Sequence, residues 1–181
     1  MHEMTVANLK SAFGGESMAH MRYAIWADLA KKEGFENVAR LFSAVSFAET
    51  VHATNHFNVL GKEAGDSMVV AGAGFGVSKT ADHLQGSIDG EHFEIAEMYP
   101  AYIEVAKLQG EKDAERTFNW AMAAEKIHHD MYKKAKEAVD GGKDYDVGKI
   151  QVCGNCGYTH EGEAPDKCPV CGVPAKMFEE F

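Results

Sequence analysis

Alanine, methionine and leucine alternate with polar residues through the first 140 positions of the chain, and Pro100 is the one proline among them. This pattern favours long amphipathic helices, because these apolar residues have high helix propensity and proline is absent from most of the stretch. The predicted helices are A at Val6–Glu33, B at Glu36–Leu60, C from Thr80 or Gly86 to Gln109, and D at Glu111–Val139.

Glycine and proline mark the breaks in this pattern. Gly34 and Gly110 lie where helices A and C should end, since glycine readily adopts the backbone conformation of a helix C-terminus. The stretch Gly61–Gly86 is too rich in glycine for a continuous helix and too long for a tight turn. It is predicted to be a long crossover between helices B and C. Pro100 is expected to kink helix C just after Tyr99.

The chain is expected to divide near residue 144. Asp140–Asp144 has the composition of a loop, and Tyr145–Phe181 is short, rich in turns and contains all the cysteines. A chain of 181 residues can hold one medium domain and a small appendage. We therefore predict an all-α four-helix bundle over residues 1–144 and a small metal-binding ribbon over residues 145–181.

The predicted bundle contains two copies of one pattern of acidic residues and histidines. In each copy a glutamate precedes a Glu-x-x-His motif, by 33 residues for Glu16 and Glu49-x-x-His52 and by 34 for Glu91 and Glu125-x-x-His128. Because residues i and i+3 share a helix face, each motif presents a carboxylate and an imidazole in one direction. Two such motifs and a carboxylate from each remaining helix are the ligand set of di-iron and di-manganese sites in bundles. The repeat predicts a redox enzyme.

The repeat extends beyond these six residues. At an offset of 76 positions the matching pairs include Arg40 and Arg116, Phe42 and Phe118, Ala48 and Ala124, and Val51 and Ile127. The alternative interpretation is a set of exposed glutamates and two unrelated histidines on amphipathic helices. The duplication disfavours that alternative, which a single Glu-x-x-His motif would not.

The two halves differ at one position. Glu94 follows Glu91 by three residues, whereas Ala19 follows Glu16 by three. Helix C is therefore expected to direct one extra carboxylate at the site and make the centre asymmetric. A solvated glutamate is the alternative, because i+3 spacing alone is weak evidence.

All four cysteines lie in the C-terminal segment, as two Cys-x-x-Cys motifs separated by eleven residues: Cys153 and Cys156, then Cys168 and Cys171. Four thiolates with this spacing predict a tetrahedral sulfur site for zinc or a single iron. Zinc that only stabilises a tail too small for its own core is the alternative.

Charge and hydropathy exclude other classes of protein. The formal net charge of −10 leaves no basic excess for non-specific binding of nucleic acid. No run approaches the roughly 18 apolar residues of a membrane span. The first residues lack the pattern of an export signal, so we expect a cytoplasmic protein.

Taken together, these motifs closely resemble the rubrerythrin family. The resemblance rests on Gly15-Glu16, Glu49-x-x-His52, Gly90-Glu91-x-x-Glu94, Met98-Tyr99, Glu125-x-x-His128 and the four-cysteine tail, and it covers nearly the whole chain. It implies a ferritin-like bundle with a C-terminal rubredoxin-like domain. The implied di-iron ligands are Glu16, Glu49, His52, Glu91, Glu94, Glu125 and His128, and the implied ligands of one further iron are Cys153, Cys156, Cys168 and Cys171.

The resemblance also implies roles within the site. In rubrerythrins, the residues matching Glu94 and His52 exchange at one iron as its oxidation state changes, and tyrosines matching Tyr23 and Tyr99 form hydrogen bonds near the cluster. The residues expected to act in catalysis are therefore Glu94, His52, Tyr23 and Tyr99. Core tyrosines with satisfied hydroxyls are an equal alternative for Tyr23 and Tyr99. Three other histidines, His20, His56 and His129, are expected not to bind metal.

The activity implied by the resemblance is reduction of hydrogen peroxide to water in defence against oxidative stress. Two irons would react with peroxide, and an Fe(Cys)4 centre, with zinc as the alternative metal, would relay electrons. The chain shows no dinucleotide-binding fingerprint, so NAD(P)H is expected to act only through external donors such as rubredoxin or an NAD(P)H-dependent reductase. Rubrerythrins form homodimers in which the rubredoxin-like domain of one subunit approaches the di-iron site of the other.

Rival functions remain open at this stage. A ferroxidase would accumulate iron beyond two ions per bundle, and a binding module would hold zinc at its cysteines. Reduction of dioxygen at the same cluster is a closer rival.

Overall fold

The computed structural model describes residues 1–61, 63 and 65–181 of the chain. The helices are α1, Glu3–Lys32; α2, Glu36–Leu60; α3, Thr80–Phe93; α4, Tyr99–Gln109; and α5, Lys112–Asp140. Glu94–Met98 forms a π-helical turn that joins α3 to α4, so these elements together correspond to predicted helix C. Positions 62 and 64 of the predicted crossover lie outside the described residues.

The helices form the predicted four-helix bundle. α1 packs against α2, and α3 and α4 pack against α5, so each half is a helical hairpin. The two hairpins meet through α2 with α5 and α1 with α4. The long connection between α2 and α3 contains no helix or strand among its described residues.

A buried polar layer separates two apolar clusters in the bundle. One cluster includes Tyr23, Phe42 and Tyr132, and the other includes Leu9 and Phe118. Along α1, α2 and α5, the polar residues of the repeated motif fall between the segments that supply these clusters. Apolar packing on both sides therefore fixes the level at which the carboxylates and imidazoles meet.

The interruption of helix C lies before Pro100, not just after Tyr99 as expected. The backbone N–H of Tyr99 donates to the carbonyl of Glu94, five residues earlier, which is the hydrogen bond of a π-helix. Pro100 has no backbone N–H to donate, and it lies in the first turn of α4, where that donor is not needed. The irregular backbone therefore begins at Glu94 itself.

The C-terminal segment forms a three-stranded antiparallel sheet. The strands are β1, Ile150–Cys153; β2, Thr159–Glu161; and β3, Phe178–Glu180, in the order β2-β1-β3. Ile150 and Val152 are buried in the same apolar cluster as residues of the bundle. The sheet thus packs directly on the helices.

The link between the two parts also belongs to the packed structure. The carboxylate of Asp144 accepts hydrogen bonds from the backbone amides of Asn37 and Val38, at 2.8 and 3.2 Å. It caps the positive N-terminal end of α2, where Phe35 supplies no side-chain cap. Within the described residues, no helix combines the length and apolar character needed to span a membrane.

Candidate metal centres

All four helical rods of the bundle contribute to one buried polar cluster. Glu16 comes from α1, Glu49 and His52 from α2, Glu91 from α3, and Glu125 and His128 from α5. Each of these six side chains is at most 1% exposed. Their convergence follows from the i, i+3 spacing of each motif on its helix.

The six side chains fall into two groups that share two carboxylates. The first group is Glu16, Glu49, His52 and Glu125, and the second is Glu49, Glu91, Glu125 and His128. Within each group one ligand atom from every residue lies within 4.8 Å of the others. Because Glu49 and Glu125 belong to both groups, they are positioned to bridge two ions.

The two imidazoles face the cluster through the same ring atom. His52 Nδ1 lies 2.9 Å from an oxygen of Glu49 and 2.9 Å from one of Glu125. His128 Nδ1 lies 2.7 Å from the other oxygen of Glu125. Both rings therefore direct Nε2 away from the carboxylates.

The electrostatics of the cluster favour a cation. Burial, followed by repulsion from Glu125, raises the pKa of Glu49 and of Glu91 well above their usual range. Burial acts on Glu125 in the same sense, but His52 and His128 outweigh it and hold its pKa below the usual range.

Three carboxylate oxygens of the cluster, Oε2 of Glu16, Oε2 of Glu91 and Oε1 of Glu125, are buried without a hydrogen-bond partner among the described residues. Unpaired buried oxygens are costly, and metal ions would satisfy them. The oxygen-rich donor set with one imidazole per group fits iron or manganese.

Glu94 lies beside this cluster but in neither group. Its side chain is half-buried, and it begins the π-helical turn. Burial, then repulsion from Glu16 and Glu125, raises the pKa of Glu94 well above its usual range, while Arg22 opposes this shift. The structure therefore brings six of the seven expected ligands together and leaves the seventh at the edge.

The two tyrosines expected near the site both donate hydrogen bonds to its carboxylates. Tyr23 Oη donates to Glu91 Oε1 at 2.8 Å, and Tyr99 Oη donates to Glu16 Oε1. Burial raises the pKa of both hydroxyls well above the usual range, so each keeps its proton. They are therefore donors that orient candidate ligands.

His56 extends the Tyr99 interaction away from the cluster. Since the hydroxyl proton of Tyr99 goes to Glu16, its oxygen accepts from His56 Nε2 at 3.1 Å. His56 Nδ1 then accepts from the Thr117 hydroxyl at 3.2 Å. No spacing rule in the sequence identifies Thr117 as part of this chain of hydrogen bonds.

The other two histidines that were expected not to bind metal, His20 and His129, lie outside both groups. His20 Nδ1 lies 3.0 Å from the Ser46 carbonyl and 2.9 Å from the Thr50 hydroxyl. His129 is half-buried, and its nearest acidic partner is Asp130 at 3.5 Å.

The four cysteine sulfurs also converge. The four Sγ atoms all lie within 4.8 Å of one another. The Sγ atoms of Cys153 and Cys171 are 3.6 Å apart, and those of Cys156 and Cys168 are 3.5 Å apart. The hydrogen bond between Cys153 and Cys156 lowers the pKa of the Cys153 thiol and raises that of Cys156, and burial raises the pKa of Cys168, so a bound cation would be needed to hold all four as thiolates. The arrangement fits one tetrahedral ion.

Glycine closes each cysteine knuckle in the same way. The amides of Gly157 and Gly172 donate to the carbonyls of Cys153 and Cys168, both at 2.9 Å. Both glycines have positive φ, +80° and +79°. This conformation strains other residues, which explains the glycine after each second cysteine.

The cysteine domain lies against the two candidate imidazole ligands. Thr159 Oγ1 is 2.8 Å from His128 Nε2, and the Cα of Gly157 packs against the His52 ring. Asn55 Nδ2 donates to the Asn155 carbonyl at 2.8 Å in the same interface. These contacts bring the two candidate metal centres together within one chain, whereas the resemblance implied an approach between the C-terminal domain of one subunit and the di-iron site of the other.

Comparison with known proteins agrees with this geometry. A family model described as rubrerythrin matches residues 7–136, and a model described as the rubrerythrin rubredoxin-like domain matches residues 151–179. The chain is 49% identical to rubrerythrin-2 of Clostridium acetobutylicum, over 98% of this chain and 97% of that protein. It is 34% identical to nigerythrin of Nitratidesulfovibrio vulgaris, over 98% and 86% of the respective chains.

Solved structures give the same result. Nigerythrin in a mixed-valent state matches with a TM-score of 0.85 and 32% identity, over 98% of this chain and 86% of that one. Mycobacterium tuberculosis bacterioferritin BfrA, at a TM-score of 0.69 and 15% identity, covers 79% of this chain and 90% of its own and shares the fold. The predicted ferritin-like bundle with a rubredoxin-like domain is therefore confirmed, and both cofactor sites fit it. The chain belongs to the rubrerythrin family.

Proposed function

We propose that this protein is a non-haem di-iron peroxidase that reduces hydrogen peroxide to water. The observation that carries the proposal is the pair of ligand groups sharing Glu49 and Glu125, in a chain that also holds four convergent cysteines. We place the domain boundary between residues 144 and 145. Two ferrous ions in the bundle would supply two electrons to the O–O bond of peroxide.

The proposed ligand assignment follows the two groups. In the bundle the ions would be held by Glu16, Glu49, His52, Glu91, Glu125 and His128, with Glu94 as a seventh ligand. In the C-terminal domain one iron would be held by Cys153, Cys156, Cys168 and Cys171. Zinc in the cysteine site is the alternative that metal analysis would reveal.

Residues around the cluster would control its protons. Glu94 is half-buried at the edge of the cluster, so its carboxyl group, when it is not bound to an ion, is suited to give a proton to the departing oxygen. The irregular backbone at Glu94 gives this carboxylate a position that a regular helix would not. Tyr23 and Tyr99 would hold the carboxylates of Glu91 and Glu16 in place.

Electrons would enter through the C-terminal domain. The contact of Gly157 with the His52 ring and the hydrogen bond between His128 and Thr159 bring the cysteine knuckle against both imidazoles. An Fe(Cys)4 centre stores a single electron, so it would be reduced twice per peroxide by an external donor such as rubredoxin or an NAD(P)H-dependent reductase. We also propose a homodimer, by analogy with the family.

Anaerobic purification followed by a metal count tests the proposal. The reduced protein should hold three irons per chain and therefore give up three electrons. Because each peroxide accepts two electrons, an excess of peroxide should rapidly restore the thiolate-to-iron absorption. Faster oxidation by dioxygen than by peroxide would favour an oxidase instead. Uptake of ferrous iron well beyond two ions per bundle would favour storage, and zinc in a colourless cysteine site would contradict the electron relay.

A further inference from the structure

The rubredoxin-like domain supplies a hydrogen-bond partner to one of the bundle's imidazoles. His128 Nδ1 faces the carboxylates, and its Nε2 faces the Thr159 hydroxyl at 2.8 Å. We propose that Thr159 is a positioning residue, which holds His128 in the tautomer that leaves Nδ1 free to bind a metal ion. The inference rests on the proposed metal site and assigns part of that site to the C-terminal domain.

Counting protons fixes the direction of this hydrogen bond. The Thr159 hydroxyl donates its single proton to the Gly157 carbonyl at 3.1 Å. Its oxygen can then only accept from His128, so the proton between them belongs to Nε2. Both side chains are fully buried, and water has no access that would let it replace either partner.

The ligand atom follows from the tautomer. A neutral imidazole carries one proton, and with that proton on Nε2 its lone pair is on Nδ1. Nδ1 lies 2.7 Å from an oxygen of Glu125, in the group that also contains Glu49 and Glu91. A partner that fixes the far nitrogen of a ligating histidine orients the ring and strengthens its binding.

His52 is held differently, which makes the effect specific to one half of the site. Its Nε2 is buried without a hydrogen-bond partner among the described residues. The neighbouring surface is backbone, namely the Cα of Gly157, which packs against the ring, and the main chain of Cys156, so no side-chain hydroxyl takes the place that Thr159 has beside His128. Removal of the Thr159 hydroxyl should therefore weaken metal binding by the group containing His128 more than metal binding by the group containing His52.

The position of Thr159 depends on the cysteine knuckle. Thr159 begins β2 and pairs with Val152 of β1, while Cys153 ends β1 and Cys156 lies in the turn between these strands. Metal binding by cysteines stabilises the fold of such a small domain. A metal ion bound by the cysteines should therefore help to hold His128 in the orientation that binds the bundle ion.

Substitution of Thr159 in the full chain tests the inference. Zinc would be loaded in both sites, since it is diamagnetic and binds the same residue types. Thr159→Val keeps the side-chain shape and removes the hydroxyl, Thr159→Ser restores a hydroxyl, and Thr5→Val removes a buried hydroxyl that bonds Gln109 elsewhere. The readouts are the Nε2–H signal of His128 by nitrogen-edited NMR and zinc affinity by chelator competition.

We expect Thr159→Val to bind one of the two bundle ions about 10–100-fold more weakly and to lose the protected Nε2–H signal of His128. Thr159→Ser and Thr5→Val should retain both. A protected signal with two unchanged affinities in Thr159→Val would overturn the inference, as would equal losses in Thr159→Ser. Two bound ions in a protein that never reduces peroxide would contradict the proposed function alone, because these readouts involve no peroxide.

Discussion

Gly157 of the cysteine domain and His52 of the bundle are in direct contact. The contact is so close that a Cβ atom on Gly157 would overlap the His52 imidazole. Gly157 also follows Cys156 and donates its amide to Cys153. One residue of backbone therefore separates a candidate thiolate ligand of one centre from a candidate imidazole ligand of the other.

Gly157→Ala should affect the protein in two ways, through the contact with His52 and through the positive φ of Gly157, and a control variant can separate the two. Gly172→Ala is the matched control, because Gly172 has nearly the same φ in the second knuckle and a Cβ added there would meet open space. Backbone strain at positive φ should lower the free energy of unfolding of both variants by about 1–2 kcal/mol. Overpacking against the ring should lower that of Gly157→Ala by a further ~1–3 kcal/mol.

Thermal unfolding and the iron content of the bundle would measure this difference. We expect Gly172→Ala to keep its bundle iron and Gly157→Ala to lose part of it. Equal behaviour of the two variants would show that the domain does not rest on His52 in solution.

Glu94→Ala should preserve the fold and much of the metal while slowing peroxide turnover. The carboxylate lies outside both ligand groups, so its removal leaves the six central side chains in place. Loss of a positioned proton donor should cost roughly 10²–10⁴-fold in rate. Glu97→Ala is the control, because Glu97 is exposed on the same π-helical turn. Single-turnover oxidation by peroxide would measure both, and an unchanged rate in Glu94→Ala would remove Glu94 from the mechanism.

Tyr99→Phe should destabilise the protein more than Tyr102→Phe does. The Tyr99 hydroxyl donates to Glu16 and accepts from His56, so its loss leaves two buried groups without a partner. Each unsatisfied group costs roughly 1–3 kcal/mol. Tyr102 is half-buried, and its hydroxyl bonds Ser11 alone among the described residues, so water can compensate. Urea unfolding of the metal-loaded proteins would measure the difference, and equal losses would disprove the proposed chain of hydrogen bonds.

The helical part of this architecture could be predicted from the sequence because its signals are local. The i, i+3 motifs place Glu49 with His52 and Glu125 with His128 on single helix faces, whatever the rest of the chain does. The bounds of α2 also followed from local composition, and the start of α3 at Thr80 is one of the two starts, Thr80 and Gly86, that composition left open.

Features that depend on docking could not be predicted in this way. The hydrogen bond between His128 and Thr159 joins residues 31 positions apart through the packing of two domains. The capping of α2 by Asp144 joins residues more than 100 positions apart. The π-helical turn at Glu94 arises next to a proline whose position suggested a kink after Tyr99 instead.

Removal of the bundle metal should make stability fall as the pH rises. In the metal-free fold, burial raises the pKa of Glu49, Glu91 and Glu94 above the value of about 4.3 for an unfolded glutamate. The folded state then binds more protons than the unfolded state, so its stability decreases as the pH rises from about 5 to about 8. The pKa of Glu125 is lowered, so its contribution to stability has the opposite sign. That contribution is lost only as the pH falls below about 4.3.

Bound metal should abolish this dependence, because the ions replace the protons on the buried carboxylates and release them on binding. Thermal unfolding midpoints of the metal-free and loaded protein at about pH 5.5 and about pH 7.5 would measure it. The loaded protein is the matched control, since both forms share the surface charge of the same sequence. We expect the midpoints to diverge as the pH rises. Parallel midpoints would mean that the carboxylates of the cluster are not buried together in the metal-free protein, and that the cluster forms only when metal binds.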